Sequence, residues 1–203
     1  LLNRISGIFF NLLEANTSDE MQRIAQEISP MLTEFGNDIH LDPALFNRVR
    51  YVYEHHGELA SDQKMLLEKT YKSFVREGAN LSDEDKEKLR KIDMQLSTLS
   101  LNYSQNVLAS TNAYTKLITD EKLLSGIPSS AISIAQKKAE SKGQKGWLFD
   151  LSMPSYLAVL TYADNREFRK EMYLQYNARA FQNNFDNQSI IKELVTLRDA
   201  KAK

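Results

Sequence analysis

The sequence predicts a mainly α fold, a multi-helix domain with one small two-stranded β element. Three observations carry that expectation. Apolar residues recur at steps of three and four through most of the chain. The breaks between these runs fall at capping residues, Gly or Pro. Only Ala113–Ile118 and Trp147–Leu151 alternate like strands, and they read as a small paired ribbon. A chain of 203 residues suffices for a sizeable core, burying roughly 70% of the unfolded surface.

Leu1, Ile5, Ile8 and Leu12 share one helical face from the first residue onward. Thr17-Ser18-Asp19-Glu20 offers a capping box, with Glu20 three residues after Thr17. The helix it opens carries Met21, Ile24, Ala25 and Ile28 on one face. Pro30 is expected to kink or break this helix, because proline has no backbone donor and clashes with the preceding turn. Gly36 reads as a stop and His40 as a loop residue. Asp42-Pro43 supplies an N-cap and first helical residue for a helix through Phe46, Val49 and Tyr53 to Gly57. Ser61-Asp62 opens the next, through Met65, Tyr71 and Phe74 to Gly78. Gly36, Gly57 and Gly78 are evenly spaced, but the segments between them are unlike, so no repeat is inferred.

Ser82 caps a long helix whose acidic first turn, Asp83-Glu84-Asp85, suits the positive end of the helix dipole. Leu89, Ile92, Leu96, Leu99 and Tyr103 form its seam, and a run to about Ser110 spans roughly 40 Å. So short a seam fits packing inside a helical domain better than a coiled-coil dimer. Asp120 starts a short turn that Gly126-Ile127-Pro128 ends. Ser129 or Ser130 caps a helix stopping near Gly143. Met153-Pro154-Ser155 begins another, and Asp164-Asn165 re-caps the chain for one more. Ile190, Leu194 and Leu197 mark a last helix.

No Met or capping residue precedes the first helix and neither Gly nor Pro stops the last, so a piece of a longer chain is the expected reading. Residues 1–112 read as helical hairpins plus the long helix, and 113–203 as the β-ribbon plus helices.

Composition excludes several functional classes. A net charge of −1 provides no broad field for nucleic acid or acidic lipid. Lys137, Lys138, Lys142 and Lys145 flank Glu140 and read as a solvated helix face. No cysteine is present, so a disulfide frame, a thiolate nucleophile and a cysteine-bound metal are all excluded. That fits a cytoplasmic location and leaves a periplasmic one open. No run of 18 apolar residues predicts a membrane span.

One ordered succession is distinctive. Gly126-Ile127-Pro128 precedes an Ala/Lys/Glu-rich helix, Gly146-Trp147 enters a short strand, and Pro154-Ser155-Tyr156 follows. Asn165-Arg166, Arg169, Tyr173 and Ala178-Arg179 come next, then LVTLRDAKA at 194–202. This resembles the zinc oligopeptidases related to thimet oligopeptidase and neurolysin, and above all the bacterial peptidyl-dipeptidase (dipeptidyl carboxypeptidase) branch. The likeness covers the whole chain and is strong from about residue 80. Members carry a similar succession before their catalytic half, where an LRxxxAxLLG-like segment marks the next boundary.

The resemblance implies a two-lobed helical metallopeptidase with a deep, narrow channel that admits short peptides. Two histidines of an HExxH motif and a later glutamate would hold zinc, and the motif's own Glu would act as general base. None of these can be placed on this sequence, so the expectation is no catalytic, cofactor-binding or metal residue in the chain. Zinc is expected in the missing catalytic half. Partners would be the chain's own C-terminal catalytic domain and, in the parent, short peptides.

The three histidines are His40, His55 and His56, and none is followed by Glu. His55-His56 cannot both face one metal on a helix, because adjacent residues point about 100° apart. They read as helix-end residues facing exposed carbonyls. Asp83-Glu84-Asp85-Lys86-Glu87-Lys88 reads as a charge-mixed solvated face. Ser110-Thr111 and Ser129-Ser130 have no histidine base near them in sequence. Arg166, Arg169 and Arg179 fit ion pairs with Asp164, Glu167 or Glu171 and helix-end contacts; a peptide-wall role is the alternative. Trp147, Phe149, Tyr156, Tyr162, Tyr173 and Tyr176 have spacing suited to core packing.

The sequence thus reads as the non-catalytic N-terminal, channel-wall region of a zinc peptidyl-dipeptidase or oligopeptidase, inactive alone. The alternative is a free-standing helical module that binds a partner helix along the Leu89–Tyr103 seam. If a missing lobe covers one face, an exposed apolar patch should favour self-association.

Overall fold

Nine α-helices and one two-stranded sheet make up the computed structural model, which describes residues 1–203. In chain order they are α1 (Leu2–Ala15), α2 (Asp19–His40), α3 (Pro43–His55), α4 (Ser61–Arg76), α5 (Asp83–Ala113), β1 (Thr115–Ile118), α6 (Ser129–Ser141), β2 (Trp147–Asp150), α7 (Met153–Tyr162), α8 (Arg166–Asn177) and α9 (Gln188–Ala202). A single 3-10 turn, Glu121–Leu124, follows β1. The chain forms two units: Leu1–Leu101 with Glu193–Lys203, and Asn102–Lys192. The mainly α expectation with one small ribbon holds.

In the first unit, α2 differs most from expectation. It runs unbroken through Pro30 and Gly36 to His40. A lost backbone donor does not end a helix whose inner face stays covered, and here Ala25 is buried before the proline and Leu32 and His40 are half-buried after it. What ends it is Asp42-Pro43, since the residue before proline is pushed out of the α region. His40 is therefore the last helical residue, not a loop residue. Its ring lies 5.6 Å from that of Phe74, and Nδ1 donates to the Gly36 carbonyl at 2.9 Å. The capping box at Thr17 is not made either. Ser18 is the cap, its Oγ accepting from the Met21 N–H at 3.2 Å.

Asp42 caps α3 as expected, its Oδ1 accepting from Ala44 and Leu45 at 2.6 and 3.1 Å. α3 and α4 then pack through a ladder of rings, with Phe46 stacked on Tyr71 and Phe74 and Tyr53 on Tyr71. Gly78 closes α4 at φ +95°, letting Ala79 N–H reach back to the Phe74 carbonyl at 3.0 Å. A Cβ there would lie 2.6 Å from Leu89 Cδ2. Ser82 caps α5 through the Asp85 N–H, again as expected. Within the acidic run that follows, Lys86 is the exception to a solvated face: it is buried three residues before buried Leu89, so its alkyl stem belongs to the packed side.

The second unit holds the larger core. Phe149, Leu151, Val159, Phe168 and Met172 are its centre, joined by Ile118, Leu124 and Ile127. β1 and β2 pair antiparallel in the register Thr115↔Asp150, Lys116↔Phe149, Leu117↔Leu148 and Ile118↔Trp147. α6 packs beside β2, and α7 against α8. Neither Ser129 nor Ser130 caps α6. Pro128 occupies the capping position, and its carbonyl accepts from Ala131 and Ile132. Of the aromatic residues expected in the core, Phe149 is central and Trp147, Tyr156 and Tyr176 flank it. Tyr162 and Tyr173 are instead 55% and 53% exposed: Tyr162 is the last residue of α7, and Tyr173 is turned about 100° around α8 from buried Met172.

Candidate functional site

The segment singled out by the sequence, Gly146–Ala180, runs through the middle of the second unit. Gly146 leads into β2 at φ +122°, and a Cβ there would sit 2.3 Å from the Ile118 carbonyl oxygen. Gly126 lies at φ +86°, where a Cβ would sit 2.1 Å from the Tyr162 carbonyl oxygen. Both are places where only glycine permits a second backbone to approach. The adjacent Asp164 N–H donates to the Ser125 carbonyl at 2.8 Å, and Ser125 Oγ to Asp164 Oδ2 at 2.7 Å. These bonds stitch the turn before α6 to the turn before α8.

Asp150 organises the end of β2. Its Oδ1 accepts from Ser152 Oγ at 2.6 Å and the Ser152 N–H at 3.2 Å, and Oδ2 pairs with Lys138 on α6. Burial alone would raise its carboxyl pKa, but the Lys138 ammonium and the Ser152 donors outweigh it and hold it below the ordinary value. Lys138 is thus an anchored residue and departs from the solvated face expected for its neighbours. Beside the pair lies a groove of about 200 Å³ lined by Ala131, Ile134, Ala135, Leu148 and Pro154.

A second polar cluster joins β1 to α8. Tyr114 Oη donates to Glu171 Oε1 at 2.9 Å, and Lys116 Nζ to Oε2 at 2.9 Å. Burial first, then the neighbouring carboxylate, pushes the Tyr114 phenol well above its usual value. Burial would raise Glu171 as well, but Lys116 and Tyr114 hold it low.

Arg169 and Arg179 take the helix-end contacts that were expected, without the ion pairs to Asp164, Glu167 or Glu171. Arg169 Nη1 donates to the carbonyls of Ala163 and, at 3.1 Å, Asp164. Arg179 lies over the Tyr176 ring at 3.5 Å, while its Nε donates to the Tyr176 carbonyl at 2.8 Å and its Nη1 to Thr111 Oγ1 at 3.2 Å. Tyr176 in turn stacks on Tyr156 at 4.0 Å. Asp164 and Glu171 are already engaged by Ser125 and by Lys116 with Tyr114.

The histidines do not assemble. His55 ends α3, its Nδ1 donating to the Tyr51 carbonyl at 3.0 Å, and His56 Nδ1 donates to the Gly57 carbonyl at 2.8 Å. His40 is tied to Gly36, as described. No group of three or more His, Cys, Asp or Glu side chains is arranged to hold a metal ion. The donors present do not fit a zinc site. No helix is long and apolar enough to cross a membrane.

The likeness to known proteins extends over the whole chain. It is 35% identical over 205 residues to oligopeptidase A of Salmonella typhimurium and 36% identical over 210 residues to that of Haemophilus influenzae. To dipeptidyl carboxypeptidase of Escherichia coli it is 32% identical over 206 residues. Over its whole length the chain is homologous to oligopeptidase A and dipeptidyl carboxypeptidase. These alignments take in 98% to 100% of the chain but only 30% or 31% of each relative, so the chain spans about a third of their length. No family model matches it. Within the family segment, sequence reasoning passed over Asp150 and Asn187, and it offered Glu171 to the arginines where Lys116 and Tyr114 take it. An Asn just before a helix, as at Asn187-Gln188, is a recognisable capping signal; Lys138, which pairs with Asp150, and Tyr114 and Lys116, which hold Glu171, are distant in sequence and left no local pattern.

Proposed function

We propose that this chain is the non-catalytic N-terminal part of a zinc-dependent peptidyl-dipeptidase or oligopeptidase. It would form one wall of the substrate channel and limit the size of peptide admitted. One observation supports this reading above the rest: similarity to oligopeptidase A and dipeptidyl carboxypeptidase runs the full length of the chain yet accounts for about a third of theirs. The zinc ligands and the general base would then lie in the remaining two thirds. The working partner is that remainder, and the substrates are short peptides, with the compartment expected to be the cytoplasm.

The outward stripe of α1, Ile5, Ile8 and Leu12, is exposed on a helix that is apolar on its other face too. Such a helix is ordinarily covered on both sides. In this reading the isolated chain self-associates through surface that the remainder would cover.

The test starts from the coding sequence beyond Lys203. An LLG-like continuation followed by HExxH is expected. The full product should cleave short unstructured peptides and lose that activity to a chelator, while the 203-residue chain cleaves none. Chelator-sensitive cleavage by the 203-residue chain itself would overturn the assignment of an inactive part, and a stop codon after Lys203 would favour an interaction module.

A further inference from the structure

We propose that residues 178–187, between α8 and α9, form a preset strap that the end of α5 holds in one conformation and that fixes where α9 begins. Every group that holds the strap lies within the second unit.

The backbone supplies the first observation. Ala180 and Gln182 both sit at φ +52°, and they are the only non-glycine residues of the chain with positive φ. In that region Cβ crowds the following carbonyl, so a residue stays there only when its surroundings dictate it. Two such residues within one short loop identify a conformation imposed from outside the loop.

The second observation is what imposes it. Ser110 and Asn187 are two of the three polar or charged residues buried in the whole chain. Ser110 Oγ accepts from the Ala180 N–H at 3.0 Å and from Asn183 Nδ2 at 3.3 Å. Asn187 is 1% exposed; its Nδ2 donates to the Tyr103 carbonyl at 3.0 Å, and its Oδ1 accepts from Asn106 Nδ2 at 2.8 Å. Its N–H donates to the Ala180 carbonyl at 2.9 Å, closing the loop on itself. The Asn187 carbonyl then accepts from Ile191 at 2.8 Å, the first turn of α9. Both side chains are buried and satisfied, the arrangement that makes a polar contact specify one geometry. α5 therefore sets the strap, and the strap sets the start of α9.

The strap carries its own reporter, because the Arg179–Ala180 bond is a trypsin site. Lys145, exposed before β2, is the internal comparison. Wild-type chain should be cut at Lys145 about tenfold faster than at Arg179, since cleavage there needs local opening. Asn187→Ala and Ser110→Ala should each raise cleavage at Arg179 about tenfold and leave Lys145 unchanged. Gln182→Gly should keep Arg179 resistant, because glycine accepts the backbone angle, and Gln182→Val should release it. Should a variant fail to fold, amide exchange in the wild-type chain decides the matter: Ala180 and Asn187 should exchange on the order of a hundredfold slower than Lys145. Equal exchange, or equal cleavage at Arg179 and Lys145 in wild type, overturns the strap. So does a folded Asn187→Ala chain cleaved at the wild-type rate.

Discussion

A methyl group added at Gly146 would press against the Ile118 carbonyl oxygen, and one at Gly126 against the Tyr162 carbonyl oxygen. Neither oxygen can move without breaking the β-ribbon or the end of α7. Gly146→Ala and Gly126→Ala should therefore each cost about 3 kcal/mol or more, combining a disfavoured φ with a backbone clash. Urea unfolding followed by Trp147 fluorescence measures the cost, and a loss below about 1 kcal/mol would contradict the geometry. Both glycines were legible as markers of an ordered motif. Why they must be glycine was not, because Ile118 and Tyr162 are remote in sequence. Asp150 extends the same point to charge. Its carboxyl is held below its ordinary value of 3.8, so its contribution to stability is full above that value and fades as pH falls through the lower folded value. Acid unfolding of Asp150→Asn should lose part of the steepness seen in wild type below about pH 4, at the cost of lower stability at neutral pH. An unchanged acid limb would mean that Lys138 and Ser152 do not stabilise the ionised form.

Helix ends separate what pattern can reveal from what packing decides. Asp42-Pro43, Ser82 and Asn165 act as caps where the sequence places them, because each cap needs only its own next few residues. Pro30 and Gly36 failed as stops because stopping depends on whether the apolar face downstream still has something to pack on, which no local signal reports. α2 consequently carries two residues that weaken it from within. Gly36→Ala should stabilise the chain by about 0.5–1 kcal/mol, since nothing lies within 4 Å of a Cβ built there. Pro30→Ala should stabilise it by about 1–3 kcal/mol by restoring a donor and relieving the ring's clash with the turn before it. Thermal unfolding followed by circular dichroism reads both. A destabilised Pro30→Ala chain would show that the proline ring itself is needed where it packs.

Each unit has its own aromatic core, Phe46 with Phe74 in the first and Phe149 with Phe168 in the second. The sequence announced rings at helical spacing but not that they would sort into two cores, since which face meets which is settled only by the assembled helices. A chain with two cores need not unfold in one step. Its one tryptophan, Trp147, packs against the second core and reports on that unit alone, whereas helical dichroism reports on both. Phe74→Ala removes a buried ring from the first core and should cost about 3–5 kcal/mol there. In a unit of about a hundred residues that lowers the midpoint by roughly 4–8 °C for each kcal/mol. The dichroism transition should therefore move to lower temperature and broaden while the Trp147 transition stays near its wild-type midpoint. Phe149→Ala should do the reverse, moving the fluorescence transition first. If both signals shift together in both variants, the two cores melt as one, and the continuous helices α5 and α9, in which the unit boundaries fall, are what couples them.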